Sequence, residues 1–594
     1  VTELREPSAP LYGAAFGVVA LASLLTIWLP AFPVGVDMPT HLLFASVIAD
    51  PERYVLLMEG NYTPTAQLFV WLVAAFAGAG PAIAGKIGMT VIALFFCGGF
   101  AVTAQAIGAN RSAGALFGLI ASHSFVTAMG FANFNFAAAL AMVAIAIAIR
   151  VWEERSIKGY VALSIWMLLV AHGHVMVAGM FGFHIFILSI FWAKWDLRRV
   201  LSTGVALAPA ALFSVIVAWT ARQGYAELNV SGGLGTQRNT LPQQVLDIGW
   251  ESYGGFSRLG WLMVVATIVG VVFQLRQRRH LVRPLVGVSA VWLVLYFVIP
   301  EHGLGWAYAQ PRVLIPFIIA AGAFAGWGPR PNLALGAYTA AFLIYLASYG
   351  HHSIVAGAEV AAQVERYGDV APGRTLEAVL DPGRTEGHPG VQPLLHVAQY
   401  QYILGGTSPL LPPYSPMIHS VRPLNLEGEQ PEHLPMFIHR AFDCSFTPDC
   451  EQARLDVGRR LGLQGQRFDS VTLVGGDQSW RDELLRYGYV ELAPDMYQPR
   501  RAGLDITFAE PPHPDSTFMI RVGWPDDYGW TIGGGRPPGP GSSEMQNTVL
   551  GPLPSGPIWV ETALRHEDGR EESLVRGQVT IVPGEILQYE LVTP

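Results

Sequence analysis

Between residues 11 and 349 the chain is a succession of apolar stretches, each near the roughly twenty residues that a helix needs to cross a hydrocarbon core. Candidate spans fall at 11–31, 82–104, 113–129, 132–150, 159–172, 175–193, 200–220, 258–275, 284–300, 313–328 and 333–349. The stretch 64–80 is apolar as well, giving about 11–12 spans in all. Basic residues occupy alternate connections. Arg111 comes first, then Arg150, Arg155 and Lys158, then Lys194, Arg198 and Arg199, then Arg276, Arg278, Arg279 and Arg283, and finally Arg330. Lys and Arg mark the cytoplasmic side of a membrane protein. The remaining loops then face outward, and they hold most of the acid, histidine and amide residues. If both 64–80 and 82–104 crossed, the alternation would fail, so one of them is expected to be re-entrant or to lie in the interface. Such backbone survives at membrane depth only when buried in protein or lining a cavity.

Charged residues make up only 14% of the chain against 51% hydrophobic, which a soluble domain does not tolerate. The net charge of −8 and the lack of a basic tract argue against a nucleic-acid partner. Three cysteines exclude a disulfide scaffold. Cys97 sits in an apolar span. Cys444 and Cys450, in FDCSFTPDC, would be able to pair if the tail is extracytoplasmic, although close spacing alone does not fix disulfide geometry. The apolar run at 11–31 lacks a convincing cleavage site and is followed by further spans. It reads as a first helix or an uncleaved anchor.

Two of the outward loops are long. Residues 32–63 carry apolar and polar residues at helical spacing, and an interfacial helix is expected at about 38–56. Residues 221–257 contain SGGLGTQ, a weak phosphate-loop candidate with neither a preceding strand nor a following GKS or GKT, so a flexible loop is the plainer reading. The composition changes after 350. The expected organisation is a polytopic α-helical membrane domain at 1–349, an extracytoplasmic α/β segment at 350–500 and a small antiparallel β-sandwich at 502–594. Helix is expected at 352–366. FDSVTLVGG reads as a strand, and WRDELLRYGYVEL as a helix then a strand. In the last segment LDITFAE, TFMIRVGW, GPIWVETALRH, SLVRGQVTIV and ILQYELV alternate with period two.

The residues able to carry chemistry cluster in the outward loops. Asp37 and His41, in VDMPTH, are four apart and would share a helix face. A carboxylate against an apolar wall can serve as a base, while an Asp two residues before a Pro also suits a helix N-cap. His172 and His174, in VAHGHVM, could approach one phosphate, or serve as interfacial polar packing. Asn133 and Asn135 in GFANFNF, with His123 in ASHSF, suit either a site or helix–helix hydrogen bonding. Glu301, His302 and Arg312 flank EHGLGWAYAQPR. An arginine opening a span needs an ion-pair partner, for which Glu301 is the candidate, or a phosphate. No Ser-His-Asp grouping, CxxC, HExxH or Walker loop stands out.

With many spans, a long first outer loop whose acid follows the first helix, an interfacial piece and a C-terminal soluble part, the chain resembles the GT-C superfamily of polyprenol-dependent membrane glycosyltransferases. GFANFNFAAALAMVAIAIAIR and LLVAHGHVMV are similar to stretches of bacterial members. The resemblance covers 1–349 and extends toward 500. It implies a multi-pass protein of the bacterial cytoplasmic (inner) membrane with an extracytoplasmic C-terminus. It also implies a polyprenyl-phosphate-linked sugar as donor and a glycan, lipid or protein as acceptor. Asp37 would deprotonate the acceptor, aided by His41. Arg312 with His172, His174 or His302 would stabilise the leaving phosphate. Many members carry an acidic pair in the first outer loop; here Asp37 stands alone, which leaves use of a divalent metal open. The alternative is a non-catalytic membrane subunit of an envelope assembly that meets a protein partner through 502–594. A transporter would be favoured by inverted halves, and no half-to-half symmetry is evident.

Overall fold

The structure is a computed structural model. It describes residues 6–50, 57–59, 68–192, 196–227, 240–254, 259–277, 279–299, 310–314, 323–366, 374–379, 397, 400, 403, 408–409, 421–423, 470–474, 478–486, 489–493, 496–499, 503–508, 517–523, 530–535, 548–550, 556–566, 570–582 and 586–591. The chain forms two compact units. The first comprises Val1–Val370, Pro382–Gly406 and Leu411–Leu434; the second comprises Ala371–Asp381, Thr407–Leu410 and Pro435–Pro594.

The first unit is helical. Its elements are α1 (Ala9–Trp28), α2 (Met38–Ala49), β1 (Leu57–Glu59), α3 (Leu68–Ala74), α4 (Pro81–Ala106), α5 (Arg111–Ala121), α6 (Phe125–Ala128), α7 (Ala132–Glu154), α8 (Ile157–Gly173) and α9 (Val175–Trp192). Then follow α10 (Leu197–Glu227), α11 (Leu241–Gly249), a π-helical turn (Trp250–Gly254), α12 (Gly260–Gln277), α13 (Arg279–Val298) and α14 (Pro331–Arg366). Among the described residues six helices are long and apolar enough to cross a membrane: Ala9–Trp28, Pro81–Ala106, Ala132–Glu154, Val175–Trp192, Leu197–Trp219 and Pro331–Glu365. Three shorter apolar helices, Met38–Ala49, Ile157–Gly173 and Gly260–Arg276, accompany them.

Helix α7 is apolar on all sides and the most enclosed of the six, as expected of a helix at the centre of a bundle. It packs against α4, α8 and α9. The Thr103 hydroxyl of α4 donates to the Met142 carbonyl at 2.6 Å, and Trp152 Nε1 donates to Thr203 Oγ1 of α10 at 2.9 Å. Small residues bring α4 and α5 together. A Cβ at Gly118 would lie 2.6 Å from the Phe96 carbonyl oxygen, and one at Gly114 2.9 Å from that of Phe100. This is the close approach that small residues four apart allow between apolar helices.

Contacts define two ends of the bundle. At one end the starts of α1, α5 and α14 meet. Ser8 N–H donates to Asn332 Oδ1 at 3.0 Å, Tyr12 Oη to the Ser112 carbonyl at 3.0 Å and Asn110 Nδ2 to Glu6 Oε1 at 2.8 Å. Arg111 and Arg330 belong to this end. At the other end, Thr26 Oγ1 lies 2.7 Å from His123 Nε2, and Asp37 N–H donates to the Met129 carbonyl at 3.1 Å. Helix α14 has 36 residues, about 54 Å at 1.5 Å per residue, well beyond a hydrocarbon core of about 30 Å. It passes Thr26 at Gly350 and the 30–32 backbone at Gly357, so it projects past α1 at this second end. The chain after α14 returns to the same end. Phe32 and Tyr400 have ring centroids 4.7 Å apart, and β1 pairs antiparallel with β4 (Val421–Pro423).

Several expectations are refined. The 113–129 stretch is two helices, α5 and α6, separated by a turn. Within 64–80 the described helix is α3, with 7 residues, too short to cross. Helix α2 is buried over most of its length and packs on α3 and α4, so it lies within the protein rather than presenting one apolar face to lipid. Part of the 221–257 loop is helical, in α10 and α11, while SGGLGTQ lies outside the described residues. The expected limit at 349 falls inside α14, which runs through it unbroken.

Among its described residues the second unit holds three sheets. A five-stranded mixed sheet has the order β3 (Ser408–Pro409), β2 (Arg374–Val379), β5 (Ser470–Val474), β7 (Met496–Pro499), β6 (Tyr489–Ala493). Helix α15 (Gln478–Arg486) precedes β6. A four-stranded antiparallel sheet has the order β10 (Trp530–Gly535), β9 (Thr517–Gly523), β12 (Gly556–Arg565), β13 (Glu571–Ile581). Its β12–β13 pair is bulged between Thr562 and Ala563. The extra residue lies on β13, and the pairing of β12 with β9 runs through without a break. The third sheet has the order β11 (Thr548–Leu550), β8 (Gly503–Phe508), β14 (Ile586–Leu591). Strands stand at all five segments expected after 502. The antiparallel expectation is corrected at one edge: β14 pairs parallel with β8, because β14 returns after β12 and β13 have been laid in the other sheet.

Candidate functional site

The candidate site is built on a backbone crossing. The loop from α1 to α2 passes over the turn between α6 and α7, where Gly130 has φ +73°. A Cβ there would stand 2.7 Å from the Asp37 nitrogen and 2.8 Å from the Met38 nitrogen. The residue must therefore lack a side chain and tolerate left-handed backbone. Gly130→Ala is expected to destabilise the protein by about 1–2 kcal/mol from the backbone conformation alone, with a further cost from displacing Asp37. Thermal unfolding in detergent checks this: an unchanged midpoint would show that the crossing is not tightly packed.

The crossing fixes the start of α2. Asp37 occupies its N-cap position, but the carboxylate makes no capping hydrogen bond, so the simple capping role is not the one the side chain performs. His41 follows one turn later. Its Nδ1 lies 3.4 Å from Asn133 Nδ2, and its ring meets Phe69 edge-on at 5.9 Å. From α7, the Phe131 and Phe134 rings face the helical turn 310–314. The Arg312 guanidinium carbon sits 3.9 Å from the Phe131 centroid and 5.6 Å from that of Phe134, with Arg312 only 7% exposed. His174 closes the group, its ring 5.2 Å from Phe134.

Electrostatics couples these residues. Burial, then the charge of Arg312, then His41, push the His174 imidazole down to about 3. Burial pushes His41 down to about 4, against a smaller opposing effect of the Gly130 carbonyl. Both rings are therefore neutral at physiological pH beside a permanent cation. Buried polar atoms without a hydrogen-bond partner line the same region: Thr40 Oγ1, His41 Nε2, Asn133 Oδ1 and both amide atoms of Gln310. Such atoms are costly unless a ligand or water satisfies them. A guanidinium held flat by aromatic rings, with two neutral imidazoles and a carboxylate at the start of α2, is suited to receiving a phosphate next to a base.

Of the residues singled out from sequence, the structure brings together Asp37, His41, Asn133, His174 and Arg312. Asn135 turns away and donates to Thr127 Oγ1 at 2.9 Å, tying α7 to α6. His123 commits its ring nitrogens to Thr26 at 2.7 Å and Ser122 at 3.1 Å. It borders a cavity of about 30 Å³, shared with Thr127 and Tyr349, which holds about one water and no substrate. His172 is separated from His174: it packs on Phe213 of α10 at 4.6 Å. Glu301, His302, Cys444 and Cys450 lie outside the described residues. Among the described residues no three His, Cys, Asp or Glu gather to hold a metal ion.

Sequence reasoning missed Gln310, two residues before Arg312. It also missed Glu251 in the π-helical turn, 1% exposed, which accepts a hydrogen bond from the Tyr296 hydroxyl. Gln243, Asp247 and Glu251 recur every four residues, a spacing that was available as a signal.

No family model matches the chain, and no curated protein matches it. Among solved structures the chain is similar to ArnT from Cupriavidus metallidurans in the apo state. The TM-score is 0.51 at 12% identity, over 82% of this chain and 98% of that one. It is also similar to ArnT from the same organism bound to undecaprenyl phosphate, with a TM-score of 0.47 at 12% identity, over 69% of this chain and 87% of that one. The apo likeness shows the fold alone: the chain has an ArnT-like fold.

Proposed function

With that fold as the premise, we propose that the protein is a membrane glycosyltransferase that moves a sugar from a polyprenyl-phosphate donor to an acceptor at the outer face of a bacterial cytoplasmic membrane. The observation that carries this reading is the Arg312 guanidinium, buried against Phe131 with His174 and His41 nearby, at the bundle end where α2 begins with Asp37. A buried cation of this kind is suited to an anion delivered from within the bilayer. The distribution of basic loops supports reading the end that holds Arg111 and Arg330 as cytoplasmic and the site as outward-facing.

In this mechanism the lipid phosphate rests on Arg312, with imidazole donors or acceptors from His174 and His41. Asp37 takes the proton of an acceptor hydroxyl. The acceptor oxygen attacks the anomeric carbon, the bond from that carbon to the phosphate oxygen breaks, and polyprenyl phosphate leaves with the bonding electrons. A single displacement inverts the anomeric centre. Asn133, Thr40 and Gln310 offer unpartnered hydrogen-bonding atoms for neutral hydroxyls of the sugar or acceptor. Native mass spectrometry of gently extracted protein is expected to find a co-purifying polyprenyl phosphate or its sugar adduct, whose mass names the sugar. Absence of any such lipid together with a stoichiometric protein partner would favour the second reading, a membrane-anchored accessory subunit. The sheets formed by β8–β14, a format common in binding modules, are what favour that alternative.

A further inference from the structure

We propose that His41 and Asn133 together read one neutral hydroxyl, or two on adjacent carbons, of the sugar that is transferred. The site then selects a sugar with a hydroxyl at that position over one with hydrogen, an amino group or a carboxylate there. This rests on the reading of the site as a lipid-linked-sugar site, and it narrows the part of His41 within it to the sugar.

The two side chains come from different elements. His41 stands on α2, one turn after Asp37, and Phe69 of α3 meets its ring edge-on at 5.9 Å. Asn133 lies in the first turn of α7, between Phe131 and Phe134, whose rings carry the Arg312 guanidinium. The contact between them, 3.4 Å from His41 Nδ1 to Asn133 Nδ2, is long for a hydrogen bond. Each side chain keeps one atom that is closed to solvent and has no hydrogen-bond partner, His41 Nε2 and Asn133 Oδ1. Each of these atoms is two covalent bonds from the one that joins the pair, so both stay within reach of a single sugar ring. In the transfer step the sugar lies between the phosphate and the base. The pair likewise links the helix that carries the aromatic platform to the helix that begins at Asp37.

The chemistry of the pair is settled by its protons. Burial holds the His41 ring neutral, so it has one N–H and one lone pair, and the amide has one donor group and one acceptor. When the amide nitrogen donates to Nδ1, the ring proton is on Nε2, and the open atoms are that N–H and the Asn133 oxygen. When the amide is turned, Nδ1–H donates to the amide oxygen, and the open atoms are the Nε2 lone pair and an amide N–H. The Gly130 carbonyl beside the ring bears on which arrangement forms and not on the count. Either way the pair presents one donor and one acceptor. A hydroxyl answers both, because it donates and accepts at once. An ammonium only donates and a carboxylate only accepts, so each leaves a buried polar atom unmet, and hydrogen leaves two. Asp37 and Arg312 bring one charge of each sign, so the net charge of the two favours neither kind of charged sugar. Thr40 Oγ1, also buried and unpartnered, takes either role and discriminates less.

The test titrates the full-length protein in detergent micelles with undecaprenyl phosphate and with its glucosyl, galactosyl and mannosyl diesters. The diester that binds best is then compared with its forms in which single hydroxyls are exchanged, one position at a time, for hydrogen or for an amino group. The expected result is one position, or two adjacent ones, at which both exchanges weaken binding by about 10- to 100-fold. In Asn133→Leu and in His41→Leu the ratio between the hydroxyl and exchanged forms at that position should fall to near one. His41→Gln should keep much of it, because an amide joined to an amide again leaves one donor and one acceptor open. A native protein indifferent to every exchange would overturn the proposal, and this needs no variant to fold. A preference that survives in both leucine variants, or one that rejects hydrogen while accepting the amino group, would overturn it as well. If the native protein binds neither undecaprenyl phosphate nor any of its glycosyl diesters, the lipid-linked-sugar reading itself fails.

Discussion

Replacing Arg312 by Ala is expected to weaken binding of polyprenyl phosphate by about 30- to 150-fold, corresponding to loss of about 2–3 kcal/mol of charge-assisted hydrogen bonding. The guanidinium is buried and lies flat on Phe131, so the truncation removes both the anion's partner and a stacked plane. Arg312→Lys is the informative companion. Lysine keeps the charge but has neither the planar fork nor the stacking, and it should recover part of the affinity. Lipid titration into purified protein measures both. If Arg312 served only as a structural ion-pair partner, Arg312→Ala would lower the unfolding temperature while leaving lipid affinity of the folded fraction unchanged.

The sequence disclosed the fold at the level of pattern and lost it at the level of placement. Apolar runs of span length and period-two strands after 502 report burial and pleat directly, and helices and strands stand at most of the places those patterns give, while residues 315–322 of the span expected at 313–328 lie outside the described residues. The break between α5 and α6 was hidden because only Ser122, His123 and Ser124 interrupt an otherwise apolar run; in the structure Ser122 bonds His123 and the Leu119 carbonyl, and Ser124 bonds Thr127. The parallel β14–β8 pairing was hidden because alternation reports the face of a strand and is silent on its direction. In the site, Asp37 and His41 were legible from a spacing of four. The pairing of His172 with His174 was not warranted by geometry: residues two apart on a helix point to opposite sides, and His174 lies just past the end of α8 in extended backbone. The meeting of Arg312 with Phe131 and Phe134 joins residues about 180 apart in sequence, which single-chain pattern reading does not reach.

Asp37→Asn is expected to reduce turnover by about 10²- to 10⁴-fold, the usual contribution of a positioned general base, with little change in stability or in lipid affinity. The separation follows from the local structure. The α1–α2 loop is anchored by the Asp37 backbone N–H on the Met129 carbonyl and by the close fit of Gly130, neither of which involves the carboxylate. The side chain makes no capping bond whose loss would fray α2. Asparagine preserves shape and backbone while removing the negative charge and the ability to accept a proton. A catalytic role therefore predicts protein that accumulates, unfolds at the native temperature and binds polyprenyl phosphate, yet fails to transfer sugar from it, so that kcat falls and KM for the lipid donor holds. An accessory subunit predicts something else: Asp37→Asn silent in every assay, and deletion of 502–594 abolishing assembly. A variant that loses expression or lipid binding along with turnover would instead assign Asp37 to holding the loop against the 127–131 turn.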